Sequence, residues 1–330
     1  MLLMAVLKSF AAFSDTVEDT SSFQTKIDVW QADRLERLTI NIRSYPRSAP
    51  VYRNVLYKQT NDWFGLIGIY MPNENAQKPV PVIVWFHGGG WQLGAKEDID
   101  TLVLEEMTGR GFAVVSVGYR LCNFDPDNVL IHDCVTNCKD SIRFLVKNAE
   151  KYSFDSERIA VWGGSAGGHL AQMTALSPPE SFPGDPSLLP HSVQPAAGIS
   201  WFGPSDFVHY QLFDLASDAA YHHRWRNRIF IAGTSPEEVI RIKQEISPVL
   251  YMKKDSPPMM FALGDTDRTI SYRQMELMQS RAEEVTASFR FLTVANAGHG
   301  WKKDAEYNPV PVKPEIVKQC ADFIAEQLNR

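Results

Sequence analysis

A chain of 330 residues, 44% of them hydrophobic, has enough apolar material for a core on both faces of a large sheet. Its formal charge of −6 carries no electrostatic footprint for nucleic acid or an anionic membrane. Cys122, Cys134, Cys138 and Cys320 lack the paired spacing of a metal site; Cys134 and Cys138, one helical turn apart, read as packing, and a reducing compartment is favoured.

The amino terminus, Met1 to Leu7, is apolar but meets Lys8 too soon to span a bilayer, and no basic residue precedes it as in an export signal. It is expected to be an arm packed on the body of a cytoplasmic protein; as a poor signal peptide it would instead direct the chain to the periplasm or outside. Residues 1–50 form an amino-terminal extension on this reading.

Val51 to Lys58 and Trp63 to Met71 read as strands joined at Asn61-Asp62. Val82-Ile83-Val84-Trp85-Phe86 is a continuous apolar run, as a strand covered on both faces requires, and leads into His87-Gly88-Gly89-Gly90-Trp91. Helical spacing from Ile99 to Gly109, a strand at Phe112 to Val117 and one long helix over His132 to Lys151 follow. The strand from Arg158 to Trp162 ends in Gly163-Gly164-Ser165-Ala166-Gly167, and a helix continues to Leu176. Past the proline-dense loop Ser177 to Pro195, Ala196 to Trp201 is a strand.

From Phe202 to Ile246 the alternation lapses. This segment, with Tyr221-His222-His223-Arg224-Trp225-Arg226, is expected to be a small helical cap of about residues 203–246 over the strand ends. Pro258 to Leu263 and Ser288 to Val294 are further strands, with a helix at Ser271 to Val285 between them and a last, proline-opened helix at Pro314 to Leu328. The pattern predicts one α/β domain over residues 51–330, a mainly parallel sheet with helices on both faces.

Ligands of such sheets bind beyond the carboxyl ends of the strands. The residues there include Ser165, then Asp265 and Asp267, then His299, in the order Ser, Asp, His. A serine on a strand-turn-helix, with glycines two positions to either side, fits a nucleophile elbow, although such a turn can also be merely structural. Serine needs a neutral imidazole to accept its proton and a carboxylate to orient that imidazole. His299, between glycines, is the candidate base. Of the two carboxylates, Asp267, three residues past Gly264, has the reach toward His299, and Asp265 is placed to brace the turn.

Donors for the oxyanion of a tetrahedral intermediate would be the backbone N–H groups of Gly89, Gly90 and Ala166. His87 is expected to brace its turn, and His169 to lie inside the helix after Ser165. Trp91, Trp201 and Phe202 are the candidate substrate-binding residues. Such chemistry needs no metal and no organic cofactor.

With these residues in view, the chain resembles an α/β-hydrolase-fold carboxylesterase and is similar to the BD-FAE-like esterases, which include acetyl and feruloyl esterases acting on plant polysaccharides. The resemblance covers roughly Val51 to Arg330. It rests on His87-Gly88-Gly89-Gly90-Trp91, Tyr119-Arg120-Leu121, Gly163-Gly164-Ser165-Ala166-Gly167-Gly168-His169-Leu170, Ser247-Pro248, Pro257-Pro258, Gly264-Asp265-Thr266-Asp267 and Gly298-His299-Gly300. The family pattern puts its aspartate three residues after the glycine, which favours Asp267. Hormone-sensitive-lipase-like esterases share the His-Gly-Gly-Gly turn but usually carry Asp where this chain has Gly164.

The resemblance implies a serine hydrolase that cleaves carboxylic esters through an acyl-enzyme, with short acyl groups such as acetyl on carbohydrates or similar small molecules. An amidase, formamidase or peptidase on the same triad, or a non-catalytic hydrolase-fold binding protein, are the alternatives. The expected partner is a small-molecule or carbohydrate ester, not nucleic acid or membrane, and the sequence leaves the oligomeric state open.

Overall fold

Apolar runs in this chain become strands because a parallel strand buried on both faces has no polar positions to spend. The computed structural model describes Thr25 and residues 51–60, 63–122, 128–213, 228–303, 308–309 and 313–329. The readings made for the amino-terminal extension and for Tyr221 to Arg226 lie outside the described residues.

Eight strands, β1 (Tyr52–Gln59), β2 (Phe64–Tyr70), β3 (Val80–Phe86), β4 (Ala113–Val117), β5 (Phe154–Gly164), β6 (Ala197–Trp201), β7 (Met259–Gly264) and β8 (Phe289–Val294), form one sheet. Their order is β1-β2-β4-β3-β5-β6-β7-β8. β2 runs antiparallel to both β1 and β4, and every other pairing is parallel. All residues of β2, β3, β4, β6 and β7 are buried, whereas the edge strand β8 is mostly half-buried or exposed.

Helices among the described residues include α1 (Thr101–Gly109), α2 (Ile131–Lys147), α3 (Ala149–Tyr152), α4 (Ala166–Leu176), α5 (Pro236–Glu245), α6 (Arg273–Val285) and α7 (Lys313–Leu328). Side chains alternate along a strand, so Ser200 and Trp201 of β6 point to opposite faces. Ser200 Oγ meets Gln172 of α4 at 2.8 Å, and the Trp201 indole meets Cys320 of α7 at 3.3 Å. The sheet therefore carries helices on both faces. No helix among the described residues is long and apolar enough to cross a membrane.

Two boundaries differ from the sequence reading by more than two residues. The single helix expected over His132 to Lys151 breaks at Asn148, whose side-chain amide donates to the Phe144 carbonyl (2.8 Å), offering it a bond outside the helical ladder and closing α2 before α3 begins. β5 starts at Phe154 rather than Arg158, because Phe154 pairs with Val80 ahead of a register shift. Within the expected cap, the described chain forms a 3₁₀ turn at Tyr210–Phe213 and α5, which is N-capped by Ser235 and opened by Pro236.

Candidate active site

The turn between β5 and α4 holds Ser165 at φ 56° and ψ −121°, a conformation that costs a non-glycine residue of order 1–3 kcal/mol. Its surroundings fix it there: the Ser165 N–H donates to the Trp201 carbonyl (2.9 Å), and the Ser165 carbonyl accepts from the His169 N–H (3.0 Å). The helix can follow so tightly because Gly167 has no Cβ; one built there would lie 1.9 Å from the Phe86 carbonyl oxygen. Sheet and helix thus hold the serine between them with its hydroxyl on the carboxyl-end rim.

His299 reaches that rim from the turn after β8, where the Gly298 N–H donates to the Lys302 carbonyl (2.7 Å). Its Nε2 lies 2.8 Å from Ser165 Oγ, and its Nδ1 lies 2.7 Å from Asp267 Oδ2. The other carboxylate oxygen of Asp267 accepts the N–H groups of Thr269 (2.7 Å) and Ile270 (2.9 Å), so the buried side chain cannot rotate away. An ionised carboxylate only accepts, which puts the imidazole proton on Nδ1 and leaves the Nε2 lone pair toward the serine. Asp265 does something else: its Oδ1 accepts the Asn296 N–H (2.7 Å) and ties the β7 turn to the β8 turn.

The glycine turn after β3 forms the neighbouring wall. Gly89 adopts φ +110°, and its carbonyl accepts the N–H groups of Gln92 (3.2 Å) and Leu93 (3.0 Å). A Cβ at Gly89 would meet the Leu93 carbonyl oxygen at 2.2 Å, so glycine is obligatory on two counts. His87 Nδ1–H donates to the Gly88 carbonyl (2.7 Å) while the ring stacks on Tyr119 at 4.2 Å. The Tyr119 hydroxyl in turn donates to the His87 carbonyl (2.9 Å), and the Cys122 N–H donates to the Trp91 carbonyl (2.7 Å). Sequence reasoning quoted Tyr119-Arg120-Leu121 without a role; here that segment braces the glycine turn. Ala166 opens α4 directly behind Ser165, and the first amides of a helix have no carbonyl in their own helix to bond.

These groups border a cavity of about 480 Å³. Gly89, Gly90 and Ser165 lie on its wall with His299, and Trp85, Phe202, Ile270 and Trp301 add apolar surface. The three rings expected to bind substrate all border it, but each is buried. Trp91 turns its indole onto His169 (5.3 Å) and Phe207 (5.8 Å), and Trp201 sits among Trp85, Trp162 and Trp301. Phe202 sets its ring against the His299 imidazole at 4.8 Å and against Trp301 at 4.8 Å. Trp85, Arg228, Ile270 and Trp301 were not among the expected binding residues. Only Trp301, beside the Gly298-His299-Gly300 motif, gave a signal that could have found it.

His169, by contrast, is sealed. Its Nε2 lies 2.8 Å from the Ile246 carbonyl, and burial pushes the imidazole down to about 4, so it is neutral at pH 7.

A hydroxyl facing an imidazole lone pair, with a carboxylate behind the ring and a glycine turn alongside, can carry out acyl transfer. Together with the sheet order, this arrangement defines an α/β-hydrolase fold. The BD-FAE family model matches residues 67–282, and the chain belongs to that family.

Among curated proteins, esterase LipC of Mycobacterium tuberculosis is 26% identical over 260 residues, covering 76% of this chain and 59% of LipC. Carboxylesterase NlhH of the same organism is 38% identical over 96 residues, 29% of each chain. The chain thus spans under two thirds of the length of these relatives. Among solved structures, the butyrate-bound esterase Est2 of Thermogutta terrifontis superposes with a TM-score of 0.69 at 25% identity, covering 86% of this chain and 96% of that one. A truncated carbohydrate esterase from gut microbiota shares the fold, with a TM-score of 0.68 at 23% identity over 86% of this chain and 100% of that one.

Proposed function

We propose that the protein is a serine carboxylesterase acting on short-acyl esters of carbohydrates or similar small molecules. The observation that carries this proposal is the unbroken hydrogen-bonded chain from Asp267 through His299 to Ser165, ending at the cavity. Ser165 Oγ attacks the acyl carbon as His299 Nε2 takes its proton, and Asp267 stabilises the resulting imidazolium. The amides of Gly89, Gly90 and Ala166 receive the oxyanion, each donor being worth on the order of 10²-fold in rate. His299 then returns the proton to the departing alcohol, and water cleaves the acyl-enzyme by the same steps in reverse.

Rigid rings support the preference for short acyl groups: Trp201, Phe202 and Trp301 are buried and packed on one another, leaving little freedom to open a long channel. The relatives named esterase or carboxylesterase and the neighbour with butyrate bound support the same class of substrate. The test is a p-nitrophenyl ester series from acetate to decanoate, run beside stoichiometric labelling with a fluorophosphonate. The expected result is labelling of Ser165 and a kcat/KM that falls with chain length. A steep rise toward decanoate would overturn the short-acyl preference, and absence of both labelling and hydrolysis would overturn the esterase assignment.

A further inference from the structure

Phe202 stands in a backbone conformation that its residue type avoids. It follows β6 at φ 38°, in the left-handed region where a bulky side chain is an outlier. Such strain persists only where the surroundings hold it, and it gathers at functional sites. The peptide unit joining Trp201 to Phe202 faces two ways: its carbonyl accepts the Ser165 N–H (2.9 Å), and its N–H donates to the Ala262 carbonyl of β7 (2.7 Å). From that fixed point the left-handed turn carries the buried ring to the cavity wall beside His299.

Three neighbours seat the ring there. The His299 imidazole lies 4.8 Å away at 64°, and the Trp301 indole 4.8 Å away at 75°. On the third side is Gly164, the residue before Ser165, where a Cβ would stand 3.1 Å from Cε2 and 3.3 Å from Cζ of the ring. Gly164 belongs to β5 and takes no left-handed φ, so its backbone does not call for glycine; what the missing side chain provides is room for Phe202.

We propose that Phe202, seated in the space that Gly164 leaves, is a positioning residue for His299; this rests on the esterase assignment, with Ser165 as nucleophile and His299 as base. The two hydrogen bonds of the imidazole act at its nitrogens, so the Phe202 ring bears on its carbons, from a third direction. The backbone of His299 offers little support of its own, since it lies between Gly298 and Gly300 and a quarter of its side chain is exposed. Trp301 and Gly164 keep the Phe202 ring from receding, and the ring keeps the imidazole at Ser165. A proton passes between Oγ and Nε2 only at hydrogen-bond reach, and a misplacement of about 1 Å can cost on the order of 10²-fold in rate.

The experiment starts from Phe202→Leu, which keeps apolar bulk but lacks Cε2 and Cζ. On 4-nitrophenyl acetate and 4-nitrophenyl butyrate alike, kcat should fall by about tenfold or more while KM stays nearly constant. The reason is that His299 is the base in acylation and in deacylation, and slowing both equally leaves KM where it was. Labelling of Ser165 by a small fluorophosphonate, which carries no acyl chain, should slow by a similar factor. Gly164→Ala presses on the ring and should lower kcat several-fold. Added to Phe202→Leu, it should cost almost nothing further, the non-additivity that residues in contact show.

If Phe202→Leu keeps wild-type kcat and labelling, whatever its Tm, the ring is packing only and the positioning role is overturned while the esterase stands. If it gains on butyrate and keeps kcat on acetate, Phe202 is a wall of the acyl site and positions nothing. Equal losses from Gly164→Ala in both backgrounds would overturn the seat assigned to the ring. Should Phe202→Leu fail to fold, Gly164→Ala carries the test alone: a lowered kcat at constant KM supports the role, and an unchanged kcat overturns it. A wild-type protein that neither hydrolyses these esters nor takes the label overturns the esterase assignment and the positioning role together.

Discussion

Two buried aspartates, Asp140 and Asp267, are both fully engaged, yet only one of them leads anywhere. Asp140 on α2 accepts Lys58 Nζ (2.7 Å), Arg143 Nη1 (2.9 Å) and the Asp185 N–H (3.0 Å). Arg143 spends its remaining donors on Pro179, Ser181 and Phe182 carbonyls and on Ser192 Oγ, and neighbouring Lys139 bonds Ser177, Pro178 and Ser181. Burial and Arg143 push the Lys139 ammonium down to about 7. The bonds of this cluster end within α2, on β1 or on the loop after α4, and fasten these segments together. The Asp267 chain instead runs through an imidazole to a hydroxyl that borders open space. Buried charge is therefore common to both, and what separates the two is whether the last partner faces a cavity.

The largest effects should fall on the open chain and spare the fold. Ser165→Ala is expected to lower kcat by about 10⁴-fold or more with little change in Tm. Asp267→Asn should cost a similar factor for a different reason. Its amide oxygen can keep the Thr269 and Ile270 N–H bonds, which turns the NH₂ group toward His299 and drives the ring proton onto Nε2, where it faces Ser165. Assay of ester hydrolysis beside a melting curve checks both, and an Asp267→Asn enzyme with wild-type kcat would make the two aspartates equivalent.

Asp140→Ala should show the reverse pattern. Removing the carboxylate leaves Arg143 buried without its anion and takes from Lys58 its close partner, a change worth about 3–5 kcal/mol in the stability measured by urea unfolding. The kcat of the remaining folded protein should be unchanged.

The sheet and the three residues that meet in one hydrogen-bonded chain were legible because each has a local signature. A parallel strand reads as an unbroken apolar run, and Ser165, Asp267 and His299 stand in short glycine-marked turns directly after such runs. Features set by contacts across space were not legible. The early start of β5 depends on Val80, a residue far away in the chain, and the break at Asn148 depends on which way one amide turns. Nothing in Tyr119 or Arg228 taken alone announces that the first holds the glycine turn from below and the second covers it from the cavity. The buried indoles make the same point: apolar patterning placed Trp91 and Trp201 near the site, but which way each ring faces was settled by neighbours such as Phe207 and Trp162.

A buried histidine sharpens the contrast by pH. His169 is held neutral, its pKa lowered from 6.5 to about 4 by burial. Between those values the unfolded chain binds a proton that the folded chain refuses, so stability is fully present above pH 6.5 and is lost as pH falls toward 4. The loss should reach roughly 3 kcal/mol. Urea unfolding at pH 7 and pH 4.5 measures it, and in a His169→Gln variant the drop between the two should shrink by most of that amount. An unchanged drop would assign the acid lability to other groups.

Tyr119→Phe probes the join between scaffold and chemistry and should have the smallest effect. The phenylalanine ring keeps the stack on His87, so only the hydroxyl's bond to the buried His87 carbonyl is lost, at about 1–2 kcal/mol of stability. That carbonyl opens the turn carrying Gly89 and Gly90, whose amides can serve an oxyanion only within a narrow range of distance. If the brace sets that distance, kcat should fall several-fold while KM stays nearly constant, because the lost contact matters most once charge has developed on the oxygen. If the brace is only part of the packing, stability falls and kcat does not. The hydroxyl of Tyr119 would then belong with Asp140 on the closed side of the comparison.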